Sequence, residues 1–478
     1  MSGDLSPRDA STMYDSDAGE IEIALTGDSL ITRPLRVFGE PEFLRVRDVL
    51  RSADVAITNA EMLFHRQEGS PGVTPGGTYM QAEPSMLAEL AWMGVDMIAA
   101  ANNHGWDYGE NGMLAHIDNL AKSGIPFAGV GATMAAARRP AYVDTRGGRV
   151  ALVSMTTSGP RAMYAGHQWR EGPGRPGANM IRYTDHYTVD AAAFEALRRM
   201  RDALGLFGSS RPEARDRLAF RDHSLGLSAI ADTEHEFYLG DLHNPWLYPN
   251  PEGYHIRSGT GFSYAPRADE SDVQENLQRI WEAKRMADRV VVSIHCHEAG
   301  AAAEQPPDML VEFARAAIDA GADVIHGHGP HRFRGVEIYK ERPIFYSIGH
   351  FIVQNDTVAT VGGENLVRQG LDRWESTPAD FFDARSGAEW RGPVSGLPAD
   401  INAWRDVVAT VRFRRDGLEE VRILPIELGY GRPRSQRGRP VVATGQAATE
   451  ILSKLAALSS AFGTEVEIVD DEARISLG

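Results

Sequence analysis

Residues 321–352 read GADVIHGHGPHRFRGVEIYKERPIFYSIGHFI, and the fold reading turns on them. Within them ADVIHGH (322–328) is a short apolar run of strand type that ends in imidazoles, and PIFYSIGHFI (343–352) is a second such run. His326, His328 and His331 fall within six residues, beside Gly and Pro that fix a turn, a density with few purely structural explanations. Working outward, PDMLVEFARAAIDAG (307–321) has helical spacing, RVVVSIH (289–295) is a strand, and ENLQRIWEAKRMA (275–287) is another helix. The same alternation fills residues 21–156. There IEIALTGD (21–28), DVAITNAE (54–61) and DMIAAANNH (96–104) are strands, the first ending in a Gly-Asp turn, and helices fall over 43–53, 84–95 and 111–124. Hairpins are expected across Gly147 and Gly148, and within 406–428 across Asp416 and Gly417. Strands alternating with helices give an α/β core.

The organisation expected is a flexible tail over 1–20, a first core part over 21–157, an insertion or lid over 158–275, and a second core part over 276–356. An irregular excursion over 357–405 follows, and 406–478 completes the fold with a hairpin, a helix and a strand pair. The chain has 478 residues, easily enough for a large core, with 42% apolar and 24% charged residues, as in ordinary globular proteins. Cys296 is the single cysteine, so a disulfide framework and zinc sites built on Cys pairs are excluded. With 49 Lys+Arg against 66 Asp+Glu, the formal charge of −17 argues against a nucleic-acid partner, which demands a basic surface. The N-terminus lacks the apolar core of a secretory signal, and no stretch is apolar enough to span a bilayer, so a cytoplasmic protein without membrane contact is expected.

Five of these strands end in groups that bind divalent metals: Asp28; Asn59 and Glu61; Asn102, Asn103 and His104; His295, with His297 and Glu298 just beyond; and His326, His328 and His331. In α/β sheets ligands bind outside the carboxyl ends of the strands, so groups 300 positions apart can converge. Carboxylates, amides and imidazoles without sulfur suit Zn, Mn or Fe(II), one ion or two. Six of the 15 histidines lie between 295 and 350.

The segments ALTGDSLITRPL, VAITNAE, GVDMIAAANNHGWDYG, VVVSIHCHEAG and 321–352 resemble, in order and spacing, the CapA family of poly-γ-glutamate capsule biosynthesis proteins. That family sits within the calcineurin-like metallophosphoesterase superfamily. The resemblance covers roughly 21–156 and 275–356. It implies a metallophosphatase-like four-layer α/β-β/α sandwich with a dinuclear metal site at one edge, here with a large insertion and a C-terminal extension. By motif, Asp28 would bind one metal, Glu61 would bridge, Asn103, His295 and His328 would bind the second, and His331 would return to the first. His104 looks like the general acid, with Asp107 placed to orient it. Three departures stand out: Leu30 occupies the first motif's usual His position, Glu61 replaces an Asp as is common in the CapA group, and His350 stands where Asn is usual.

Substrate contacts are expected from Arg33, His297, Glu298, His326, Arg332 and His350, with Arg33 and the Arg332–Arg334 pair able to clamp an anion by bidentate contact. Cys296 lies between two histidines, but if His295 faces the metals Cys296 faces away. His167, His186, His223, His235, His243 and His255 read as solvated or hydrogen-bonded loop groups, the alternative being substrate carboxylates or a third metal. The function expected is a soluble metal-dependent hydrolase of an amide or γ-glutamyl-type bond in a small or oligomeric anionic substrate. A phosphomonoesterase or phosphodiesterase, or a non-catalytic capsule-polymer assembly factor with a structural metal, are the alternatives.

Overall fold

The computed structural model describes residues 19–73, 77–204, 233–240, 253–387 and 394–476, so most of the tail, as well as His223 and His243, lie outside the described residues. The chain divides into two compact units. One comprises residues up to Met180, Asn276–Pro306 and Phe313 onward; the other comprises Ile181–Glu275 and Pro307–Glu312.

The first unit is an α/β sandwich of two sheets. At the centre of the larger sheet lies Ile21–Leu30, a strand buried along almost its whole length. On one side it pairs in parallel with Val55–Asn59, followed outward by Met97–Ala99 and Phe127–Ala128. Its other side is shared by two partners. Arg405–Arg414 runs antiparallel beside residues 21–25, and His350–Val353 runs parallel beside residues 28–30. Gly417–Glu427, Glu472–Ser476 and Glu467–Val469 extend the sheet beyond Arg405–Arg414. The second sheet has the order Val336–Tyr339, Arg342–Phe345, Val324–His328, Arg289–His295, Arg149–Thr156 and Ala141–Asp144, its centre parallel.

Alternation explains how the layers close. Ile23, Leu25, Val55 and Ile57 of the larger sheet meet Leu152, Val291, Val324 and Phe345 of the other in one apolar cluster, while Ala24, Ala56 and Ile98 face the opposite side. That opposite side is covered by helices. In Pro41–Ser52, begun by proline at its first turn, Phe43, Val46 and Leu50 recur at helical spacing and are buried against the sheet, as is Leu90 of Met86–Met93. Burying each such side chain contributes roughly 1.5–3 kcal/mol.

Three local expectations change. The chain does not turn at Gly27-Asp28; the strand continues to Leu30 through an irregularity in register at Asp28. A Cβ on Gly27 would lie 1.9 Å from the Gly349 carbonyl oxygen, so only glycine lets the two strands approach there. The run 343–352 is two strands rather than one. Arg342–Phe345 belongs to the second sheet and His350–Val353 to the first, with the crossing made at Gly349, whose φ is +75°. The strand expected over 96–104 spans only Met97–Ala99, because Asn102 caps a short 3-10 turn over Asn103–Trp106 by accepting from the His104 amide at 3.2 Å.

Residues 158–180 lie in the first unit, where Asn179 binds the Ser154 carbonyl and the Asn276 side chain. The second unit carries a four-stranded sheet in the order Glu236–Gly240, Gly253–Ser258, Tyr183–Val189 and Ser263–Ala268, with helix Ala191–Leu204. Its small core is Val189, Phe194, Phe237 and Ile256. The irregular span 357–405 contains two short helices, Gly363–Arg368 and Pro378–Ser386, the latter held by a Thr377–Asp380 capping box.

Candidate metal centre

Register brings the site together. In the larger sheet Asp28 pairs across with Asn59 on one side and His350 on the other; in the second sheet His295 pairs with His328. Asn59, His295 and His328 end their parallel strands and Asp28 lies near the end of its own, whereas His350 opens the strand His350–Val353; loop backbone beyond the carboxyl ends leaves room for a ligand.

Asp28, Glu61, His295, His328 and His350 are wholly buried. Asp28 Oδ1 lies 3.2 Å from His328 Nδ1 and 3.6 Å from His295 Nδ1, and those two nitrogens are 3.0 Å apart. Nearby, Asn59 Nδ2 donates to Asp28 Oδ1 at 2.6 Å, and the Gly329 amide donates to Oδ2 at 3.0 Å. Ser293 Oγ, two residues before His295 on the same strand face, holds His328 Nε2 at 2.7 Å and so leaves Nδ1 to the centre.

Glu61 is surrounded differently. Its Oε1 lies 3.7 Å from His295 Nε2, 3.7 Å from His104 Nε2 and 3.9 Å from His297 Nε2. Both of its oxygens are buried without a hydrogen-bond partner, as are His295 Nε2, His297 Nε2, His331 Nδ1 and His350 Nε2. Grouped by distance, ligating atoms fall into three sets: Asp28, His295 and His328; Asp28, Glu61, His331 and His350; and Glu61, His295 and His297. The donor chemistry fits one or two divalent ions, with carboxylate and imidazole ligands and a satisfied outer shell.

Burial alone would raise the Asp28 carboxyl, but hydrogen bonds and charge from His295 and His328 hold it well below the usual carboxylate range. Burial, then the charges of Asp28 and Asp107, push Glu61 well above that range. Burial pushes His295, His331 and His350 down from the ordinary imidazole value.

His104, in the turn after Met97–Ala99, has Nδ1 2.6 Å from Asp107 Oδ2, and Asp107 is itself fixed by the Met80 amide at 2.7 Å. The adjacent Asn103, expected as a metal ligand, is buried in the same turn. A cleft opens beside His104, His331 and His350, walled by Met80, Phe382 and Trp404. Arg385, from the short helix Pro378–Ser386, also lines it and donates to Thr78 Oγ1 at 2.5 Å; Asp356 lines the same cleft, but among the described residues no carboxylate forms an ion pair with Arg385.

The substrate residues expected from sequence divide. His297 and His350 join the candidate metal sets. His326 is buried with Nε2 2.9 Å from the Thr26 carbonyl, a tie between the sheets rather than a group open to substrate. Arg33 is committed to the carbonyls of Ser435 and Arg437, and Arg332 to Glu304 and Asp400. Glu298 accepts from Thr157 and Ser158, and the buried Cys296 thiol, pushed up by burial, lies 3.3 Å from it. Sequence reasoning missed Ser293, whose signal was its two-residue spacing from His295. It also missed Arg385, and Asp406, the second residue of the strand Arg405–Arg414, whose carboxylate lies 3.9 Å from His350 Nδ1.

The model of the bacterial capsule synthesis proteins matches residues 22–355, which contain every residue of the three sets. The chain belongs to that family. Its relatives within and around the capsule synthesis family include an uncharacterised protein of Sinorhizobium fredii, 34% identical over 93% of this chain and 90% of the relative. The PGA biosynthesis protein CapA of Bacillus subtilis is 35% identical over 28% of this chain and 36% of its own. A probable polyglutamine synthesis accessory protein of Mycobacterium tuberculosis is 26% identical over 60% of this chain and 52% of its own. Among the described residues of this capsule synthesis family member, no helix is long and apolar enough to cross a membrane.

Proposed function

We propose that this capsule synthesis family member is a metal-dependent hydrolase that cleaves an amide or γ-glutamyl-type bond in a small or oligomeric anionic substrate. The observation that carries this reading is the shell of buried, unbonded oxygen and nitrogen atoms around Glu61, because such acceptors facing one another are costly unless a cation lies among them. Asp28, His295 and His328 would hold one Zn, Mn or Fe(II) ion, and Glu61, His331 and His350 would share Asp28 in holding another. Such ions polarise a scissile group and bring the pKa of water near neutrality.

The chain supplies the rest. His104, oriented at Nδ1 by Asp107, presents Nε2 to the same pocket and can carry the proton that the leaving group takes, while the Asp107 carboxylate stabilises the charged ring. Arg385 is available for a substrate carboxylate, and the apolar cleft wall limits water. One relative is named for PGA biosynthesis and another as a probable polyglutamine synthesis accessory protein, and Leu30 stands where the resemblance implies a His; both favour an amide over a phosphoester.

The test incubates the metal-loaded full chain with γ-glutamyl oligomers, other amides and an aryl phosphoester. Amide cleavage that disappears with a chelator and with His104→Asn is expected. Cleavage of the phosphoester alone would replace this reading by a phosphoesterase. Metal binding with no turnover of either class would leave the assembly-factor reading.

A further inference from the structure

We propose that the second unit carries a divalent-metal site of its own, formed by His186, Glu236 and His255, that takes Zn(II) or a similar first-row ion with an open fourth position. It goes beyond the hydrolase reading and does not depend on it.

Three strands of one sheet supply the ligands. His186 on Tyr183–Val189 and His255 on Gly253–Ser258 are register partners on parallel neighbours, so their side chains stand on the same face. Glu236 begins Glu236–Gly240, which pairs antiparallel with Gly253–Ser258 and places Tyr238 opposite His255, two residues along from Glu236. Residues two apart share a face, which puts Glu236 diagonally beside His255.

The side chains converge. The imidazole rings stack with centroids 4.3 Å apart and planes 14° from parallel. Both Nδ1 atoms point to one oxygen, Glu236 Oε1, which is 3.3 Å from His255 Nδ1 and 3.8 Å from His186 Nδ1. Ligands bound at about 2.0–2.1 Å to a tetrahedral ion lie roughly 3.3 Å apart, so small side-chain shifts close the set. His186 Nδ1 is buried with no hydrogen bond, whereas Nε2 on the same ring lies 3.0 Å from Thr184 Oγ1. An Nε2 proton given to that hydroxyl leaves the Nδ1 lone pair facing Glu236, as metal-ligating histidines commonly arrange their second nitrogen.

Arg257 lies 2.9 Å from Glu236 Oε2, which keeps the carboxylate in place and leaves Oε1 as a single donor. Two imidazoles and one carboxylate without sulfur exclude a thiolate-type site and match the donor set that Zn(II) takes when one position stays open.

The experiment uses the full chain carrying Asp28→Asn and Glu61→Gln, which remove ligands of the first unit's centre. Zn(II) content after gel filtration and Co(II) visible absorption are read with and without His255→Gln. One equivalent per chain that vanishes with His255→Gln is expected. Should that variant fold poorly, diethyl pyrocarbonate labelling of the chain that retains His255 gives the answer, because Zn(II) then shields His186 and His255. Equal metal content with and without His255→Gln, or labelling of both rings unaffected by Zn(II), would overturn the proposal.

Discussion

Glu61 sits beside Asp28 and Asp107 in a pocket without water-facing surface, and its carboxyl is correspondingly pushed up. In the metal-free protein a folded-state pKa above the unfolded value means that stability is full at low pH and falls as pH rises from the unfolded pKa to the folded one. Glutamine does not titrate. Glu61→Gln should therefore melt higher than the wild type in chelator at pH 8, with the gap narrowing towards pH 5, by roughly 1 kcal/mol for each pH unit of the window. The same variant should bind less metal. Melts at the two pH values check this; a gap of equal size at both would show that Glu61 ionises freely. Asp107 acts through another residue, so Asp107→Asn should leave metal content unchanged and lower turnover by about 10²–10⁴-fold, the usual contribution of a correctly held acid–base group. Arg385→Ala should raise KM for a carboxylate-bearing substrate roughly tenfold with kcat little altered, as expected for one lost charge-assisted contact.

At the scale of elements, glycines let the strands bring these groups close. Gly329 follows His328 with φ +117°, donates its amide to Asp28 Oδ2, and a Cβ there would lie 2.8 Å from the Cys296 amide nitrogen. Gly329→Ala should cost about 1–3 kcal/mol in urea denaturation and weaken metal binding by displacing Asp28. A variant with both quantities unchanged would show that the loop relaxes without moving Asp28. The alternation of apolar strands and helices, and the polar groups at strand ends, could be read from 21–156 and 289–352 because period and punctuation are local. What could not be read is pairing. The placing of His350 beside Asp28 requires the chain to change sheets at Gly349, and the commitment of Arg33 to carbonyls near residue 435 depends on a loop 400 positions away. Arg385 escaped notice because its helix is short and begins with a capping box rather than an apolar stripe.

For the whole molecule, the cost of acid falls on buried histidines outside the metal sets. His116, on helix Gly109–Ser123, accepts from the Phe64 amide at 3.0 Å, and burial followed by the charge of His65 takes it to about 3. His326 is also taken to about 3, by burial and then His328. Both folded pKa values lie below the unfolded 6.5, so the unfolded chain takes up protons that the folded one refuses. Stability is then full above 6.5 and falls as pH drops towards 3, by roughly 2 kcal/mol from each ring at pH 5. Relief of self-repulsion acts the other way, since the charge of −17 shrinks as acids protonate, but most carboxylates titrate below pH 5, after the histidine loss has begun. His116→Gln keeps an acceptor for the Phe64 amide and removes the titration. Between pH 7 and pH 5 this variant should lose about 2 kcal/mol less than the wild type in urea denaturation, equally with and without chelator because His116 touches no metal set. Parallel pH profiles for the two proteins would mean that His116 is protonated in the folded chain.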